Sequence, residues 1–155
     1  MLACPAVRRY IDMMNLNDFL RGKTLTRGGR CYGSIIHFGF EGGAIETAGG
    51  DWTLEVDDRI IEKSETIEDS TCVGTLVGRT IRGLAIVTPD ICKVTFWDGS
   101  VLRCRNGARE GYGMGRELLN VFQDDPTGKG WICELHAPLV DLSWRHADRP
   151  VSASY

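Results

Sequence analysis

Short runs in which apolar and polar residues alternate dominate the chain. Ile91-Cys-Lys-Val-Thr-Phe96 and Ser100-Val-Leu-Arg-Cys104 are two of them, and a period of two marks a strand with one buried face. Trp97, Asp98 and Gly99 separate the two runs. A two-residue Asp-Gly turn would set Val94 opposite Arg103 and mix apolar with charged side chains on one face. A three-residue loop sets Phe96 opposite Ser100, Val94 opposite Leu102 and Cys92 opposite Cys104. One face is then core, and Lys93, Thr95, Val101 and Arg103 share the other. Register follows the pattern, because a one-residue slip reverses every side chain. Gly99 falls on the left-handed position that closes such a loop. Upstream, Ile36, Phe38 and Phe40 repeat the inward pattern before Glu41-Gly-Gly43. Trp52 to Val56 forms a further strand, Asp57-Asp58 a turn, and Arg59 to Glu62 a short strand.

Helical periodicity is scarce. Val7, Tyr10, Ile11 and Met14 share one face of a helix over 5–14, with Pro5 suited to its first turn. Arg116 to Phe122 is expected as a second short helix, broken by Asp124-Asp-Pro-Thr-Gly128. The predicted class is mainly β (α+β): an antiparallel sheet, sandwich or half-barrel of about ten short strands with an N-terminal helix and one short inserted helix.

Displacing the chain by 56 residues reveals an internal match. Leu20-Arg-Gly-Lys-Thr-Leu25 lies over Leu76-Val-Gly-Arg-Thr-Ile81, Ile35 over Ile91, Phe40 over Phe96, Gly43 over Gly99 and Ile45 over Val101. Trp52-Thr-Leu-Glu-Val56 finds a partner in Trp131-Ile-Cys-Glu-Leu135 after an insertion of 23 residues. The chain of 155 residues therefore reads as a single domain, with one copy at about 20–56 and another at about 76–135, the insertion occupying about 105–127.

Composition narrows the function. Hydrophobic residues make up 43% and charged residues 25% of the chain, which suits a globular domain with a core. Eighteen basic against 21 acidic residues give a net charge of −3, so a whole-domain polyanion binder is not expected. No apolar run is long enough for a membrane helix, and the N-terminus lacks the apolar core of an export signal. A cytoplasmic location follows as the expectation, and with it reduced thiols among Cys4, Cys31, Cys72, Cys92, Cys104 and Cys133. Cys92 and Cys104 would face each other across two strands, as core thiols or, if oxidised, as a cross-strand disulfide.

The charge is unevenly laid out. Residues 51–69 carry Asp51, Glu55, Asp57, Asp58, Glu62, Glu65, Glu68 and Asp69 against Arg59 and Lys63 alone. Arg21, Lys23, Arg27 and Arg30 stand without an acid between 21 and 30. An acidic face steers basic partners; it also serves solubility alone. Trp97 at a hairpin tip is either folded over the sheet or offered to a partner.

Reactive motifs are missing. No C-x-x-C pair, no i, i+4 histidine pair, no G-x-S-x-G and no phosphate-binding G-x-G-x-x-G or Walker pattern occurs. Neither a metal nor a cofactor is expected, and no catalytic residue stands out. Gly111-Tyr-Gly-Met-Gly115 precedes the expected helix at Arg116. Its amides, with Arg109, Gly111, Gly113, Gly115 and Arg116, could hold an anion at a helix start; a plain connecting loop explains them as well.

The succession of blocks Leu20 to Leu25, Leu76 to Ile81, Phe96 to Leu102, Trp52 to Leu54 and Trp131 to Cys133 resembles small bacterial β proteins that accompany polymorphic or contact-dependent toxins as immunity proteins. The likeness spans about 19–136. It departs where the first copy has Glu-Gly-Gly for x-Asp-Gly and where the second carries the insertion. The resemblance implies a non-enzymatic protein that binds a cognate toxin domain and occludes its active site. Asp57, Asp58, Glu62, Glu65, Glu68, Asp69 and Trp97 are the expected contact residues. The alternative is a β protein, phage- or mobile-element-encoded, that binds or sequesters a nucleotide or phosphate through the glycine loop. The oligomeric state is left open by the sequence.

Overall fold

Eleven strands fold into two antiparallel sheets in the computed structural model, which describes residues 16–65, 72–107, 114–124, 130–140 and 142–147. They are β1 (Arg27–Tyr32), β2 (Ile35–Phe40), β3 (Gly43–Thr47), β4 (Asp51–Val56), β5 (Arg59–Lys63), β6 (Ile81–Thr88), β7 (Ile91–Phe96), β8 (Val101–Arg105), β9 (Glu117–Asp124), β10 (Gly130–His136) and β11 (Arg145–Ala147). The first sheet runs β1-β2-β3-β9-β10-β11 and the second β5-β4-β8-β7-β6. The mainly β, antiparallel class is the one the alternation predicts. The helix expected over 5–14 lies outside the described residues.

Strands β1, β2 and β3 of the first sheet correspond to β6, β7 and β8 of the second. β1 pairs β2 as Gly28 with Phe38 and Arg30 with Ile36; β6 pairs β7 as Leu84 with Val94 and Ile86 with Cys92. Even the irregularity between Arg30 and Tyr32 recurs between Ile86 and Thr88. Thr24 and Thr80 form an antiparallel bridge with each other. Around it, Gly22 N–H donates to Ile81 O and Gly78 N–H to Leu25 O (2.9 and 2.7 Å), while Leu25 N–H donates to Arg79 O and Ile81 N–H to Lys23 O (2.9 and 2.8 Å). Each pair of bonds interchanges under the displacement of 56, the pattern a local twofold axis between the threonines produces.

The ungapped match ends at the hairpin tips. Phe40 pairs Gly43 across a two-residue turn of Glu41 and Gly42, whereas Phe96 N–H bonds to Ser100 O across Trp97-Asp98-Gly99. Gly42 (φ 90°) is thus the counterpart of Gly99 (φ 91°), and both need the left-handed freedom of glycine. Beyond the tip the displacement becomes 57: buried Ile45 corresponds to buried Leu102, not to half-buried Val101.

The later strands cross over. In the second sheet β4 pairs β8 and β5 pairs β4, whereas in the first β9 pairs β3 and β10 pairs β9. The structural counterpart of β4 is therefore β9, and that of β5 is β10. This corrects the pairing of the Trp52 block with the Trp131 block. Trp52 is buried and donates its Nε1–H to Ser34 O at 2.7 Å; Trp131 lies on β10 against the ring of His146, 3.9 Å between centroids.

The helix expected at Arg116 to Phe122 is corrected too. Met114–Arg116 is a single 3-10 turn and Glu117–Asp124 is β9, bonded on both sides. Leu118, Leu119 and Val121 are all buried. Apolar residues on both faces of a central strand mimic a short helical stripe, and sheet pairing overrides the weak local preference.

One core joins the sheets. Phe38, Ile45, Leu119, Val121, Cys133 and Leu135 from the first pack with Trp52, Leu54, Val94, Phe96, Leu102 and Cys104 from the second. Leu16 and Leu20, on a helical turn over 16–20, join it. No helix among the described residues is long and apolar enough to cross a membrane.

Candidate functional site

The β7–β8 tip takes the three-residue loop that the alternation requires. Cys92 pairs Cys104 and Val94 pairs Leu102. Trp97, 61% exposed, stands outward at that tip. Its N–H donates to Thr80 O (2.9 Å), and the Arg82 guanidinium lies over its ring at 5.3 Å. Beside it the Arg79 guanidinium pairs with Asp98 and donates to Ser100 Oγ at 2.9 Å. Partial burial pushes the Asp98 carboxyl up, but hydrogen bonds from the Ser100 hydroxyl and amide together with the Arg79 charge outweigh it and hold the group below 3.8.

The β4–β5 turn carries Asp57 and Asp58, both exposed and both left-handed (φ 52° and 62°). Two consecutive positive φ values define a hairpin turn that favours Asn-Gly. Because Glu55 pairs Val101, this turn and the Trp97 tip lie at the same end of the second sheet. The topology thus brings together Asp57, Asp58 and Trp97, which the sequence separates by 40 residues.

The rest of the acidic segment disperses. Glu55 is bonded to Arg103 Nε (2.9 Å) and Thr53 Oγ1 (3.1 Å) on the outer face. Glu65 is exposed at the other end of β5, with Lys63 Nζ 3.9 Å away. Glu68 and Asp69 lie outside the described residues. Glu62 is a correction: it is 3% exposed, opposite Leu54 on the inner face. A β-bulge explains this. Val56 pairs Arg59 and Glu55 pairs Ile60, but Leu54 pairs Glu62, so Ile61 is the extra residue. Regular alternation would turn Ile61 inward; instead Ile61 is 39% exposed and Glu62 faces the core. Glu62 occupies the position that Cys133 holds in the first sheet, where Val121 pairs Cys133. Among the described residues neither of its carboxylate oxygens has a hydrogen-bond partner.

Of the glycine loop, Arg109, Gly111 and Gly113 lie outside the described residues. Gly115 is buried, its carbonyl accepting from Gly107 N–H at 2.9 Å, and Arg116 is exposed. With β9 following directly, no helix start exists at Arg116 to hold an anion.

Sequence reasoning missed a hollow of about 520 Å³ lined by Gly22, Lys23, Thr24, Thr26, Glu41 and Gly42. The only signal for it was the cluster of basic residues between 21 and 30. Among the described residues no group of three or more His, Cys, Asp and Glu converges. No protein family, curated protein or solved structure matches the chain.

Proposed function

We propose that this chain is a non-enzymatic binding protein that neutralises a cognate toxin domain by covering its active site. The contact end is the pair of hairpin tips bearing Asp57, Asp58 and Trp97. The observation that carries the reading is their common location at one end of the second sheet. An outward tryptophan braced by Arg82 loses little freedom on binding and suits an anchor. Two adjacent carboxylates on the neighbouring turn stand at the same end of the sheet and suit a basic cleft of the kind that holds nucleic acid. The Asp-Asp turn supports a binding role in a second way. Left-handed backbone at non-glycine residues and like charges side by side both oppose folding, so another advantage explains their presence.

The test is calorimetry with the toxin domain encoded beside this chain. The expected result is a tight complex, weakened by Trp97→Ala by about 2 kcal/mol and by Asp57→Asn/Asp58→Asn in a salt-dependent way. Absence of binding heat, or unchanged affinity in both variants, overturns the proposal.

A further inference from the structure

The two halves of the molecule differ at their hairpin tips, which the local twofold axis relates. At the second tip the space beside the threonine bridge is spanned by hydrogen bonds. Trp97 N–H donates to Thr80 O, and Arg79 meets Asp98 and Ser100. At the first tip the turn is one residue shorter, and the residue without a counterpart is Asp98. No bond joins Glu41 N–H to Thr24 O. Lys23, the counterpart of Arg79, makes no ion pair among the described residues; its ammonium lies 5.1 Å from the Phe19 ring centroid. Gly43 stands where the second tip has Ser100. A side chain at Gly43 would meet Phe122 O, so the Ser100 position is filled by the neighbouring strand. Asp98 and the closing hydrogen bond have no counterpart, and there the hollow of about 520 Å³ lies.

We infer that this hollow binds a carboxylate supplied from outside, which takes the place Asp98 holds in the second half. Lys23 provides the opposite charge. The Thr24 and Thr26 hydroxyls line the same space; Thr26 Oγ1 already donates its proton to Gly39 O at 3.2 Å, whereas Thr24 Oγ1, 2.8 Å from Thr80 Oγ1, keeps its proton for a ligand when Thr80 donates to it, and the ammonium is the principal donor. Glu41 is exposed at the rim and opposes the ligand's charge. The hollow admits a carboxylate on a small molecule or on an acidic side chain of a polypeptide, with Lys23 as its counter-charge.

The test is a 15N NMR titration of the full chain with sodium succinate and, separately, with a blocked Gly-Glu-Gly tripeptide. Sodium chloride at equal ionic strength and the Gly-Gln-Gly peptide are the controls. Saturable shifts at the Gly22, Lys23, Thr24 and Gly42 amides are expected from carboxylate ligands alone. Saturation by succinate but not by the peptide assigns a free small carboxylate; saturation by the peptide assigns a protein side chain. Lys23→Met should weaken binding about tenfold or more, Lys23→Arg should retain it, and Glu41→Gln should tighten it. An aspartate inserted between Glu41 and Gly42 recreates the longer tip and should abolish binding while the fold, judged by the remaining spectrum, persists. Equal shifts with chloride or with the glutamine peptide, or binding that survives both Lys23→Met and the insertion, overturn the inference.

Discussion

Thr24 and Thr80 stand 56 positions apart in sequence and hydrogen-bond to each other, Oγ1 to Oγ1, at 2.8 Å. Each is thus its own counterpart's partner, which is the geometry of residues on a local twofold axis. The bond is exposed, so its net worth is modest. Thr24→Val and Thr80→Val should each lower stability by about 0.5–1 kcal/mol. The double variant should lose less than the sum, because the second change removes no further bond. Urea unfolding of the four proteins checks this; strict additivity would show that the hydroxyls do not interact.

Glu62 faces Leu54 inside the second sheet without a hydrogen-bond partner among the described residues. A buried polar group left unsatisfied costs about 1–3 kcal/mol. Glu62→Leu should therefore raise stability by about that amount, read as a higher urea midpoint at constant slope. A comparable loss would mean that the carboxylate finds a partner in solution.

The turn at Asp57 and Asp58 holds two left-handed residues. Asp57→Asn with Asp58→Gly supplies the preferred residues for that backbone, and a gain of about 0.5–1 kcal/mol is expected. The same variant should bind the proposed toxin partner less well, since both charges are gone. Thermal melting and calorimetry on one preparation test the two halves of this statement together.

Asp98 is held below its ordinary value in the folded protein by Ser100 and Arg79. A depressed carboxyl contributes stability that is present above its unfolded value and lost as pH falls through the folded one. Stability should therefore decline as the medium is acidified below the ordinary 3.8, and Asp98→Asn should flatten that part of the curve. Unfolding midpoints collected at descending pH give the comparison; parallel curves for the two proteins would contradict the assignment.

Cys92 and Cys104 lie side by side in the core. The hydrogen bond with Cys92, burial, and repulsion from Cys92 push the Cys104 thiol well above its usual range. Since the thiolate is the reactive form, Cys104 should not alkylate with iodoacetamide in the native protein; Cys92 should not because the reagent cannot reach its buried sulfur, whereas exposed Cys31 should react. Peptide mass mapping before and after denaturation reads each site separately.

Local sequence determined the antiparallel class, the inward face of β7 and β8, the loop at Trp97 and the role of Gly99. These depend on alternation and on turn chemistry between adjacent residues, both of which act over a few positions. It also placed the first half against the second from Leu20 to Phe40, because identical registers preserve identical spacing. Tertiary structure alone decided the rest. A bulge at Ile61 inverted the face of Glu62, and no pattern of apolar residues announces an extra residue in a strand. Pairing on both sides made a strand of Glu117–Asp124, whose apolar residues fit a helix equally well. The exchange of β4 and β9 between sheets undid the match of the two tryptophan blocks, since similarity of composition carries no information about which edge a strand joins. Asp57, Asp58 and Trp97 reach one end of the second sheet, and the hollow beside Lys23 opens, only through the pairing of strands distant in sequence: short-range preferences fix what a segment is, and long-range pairing and burial fix where it goes.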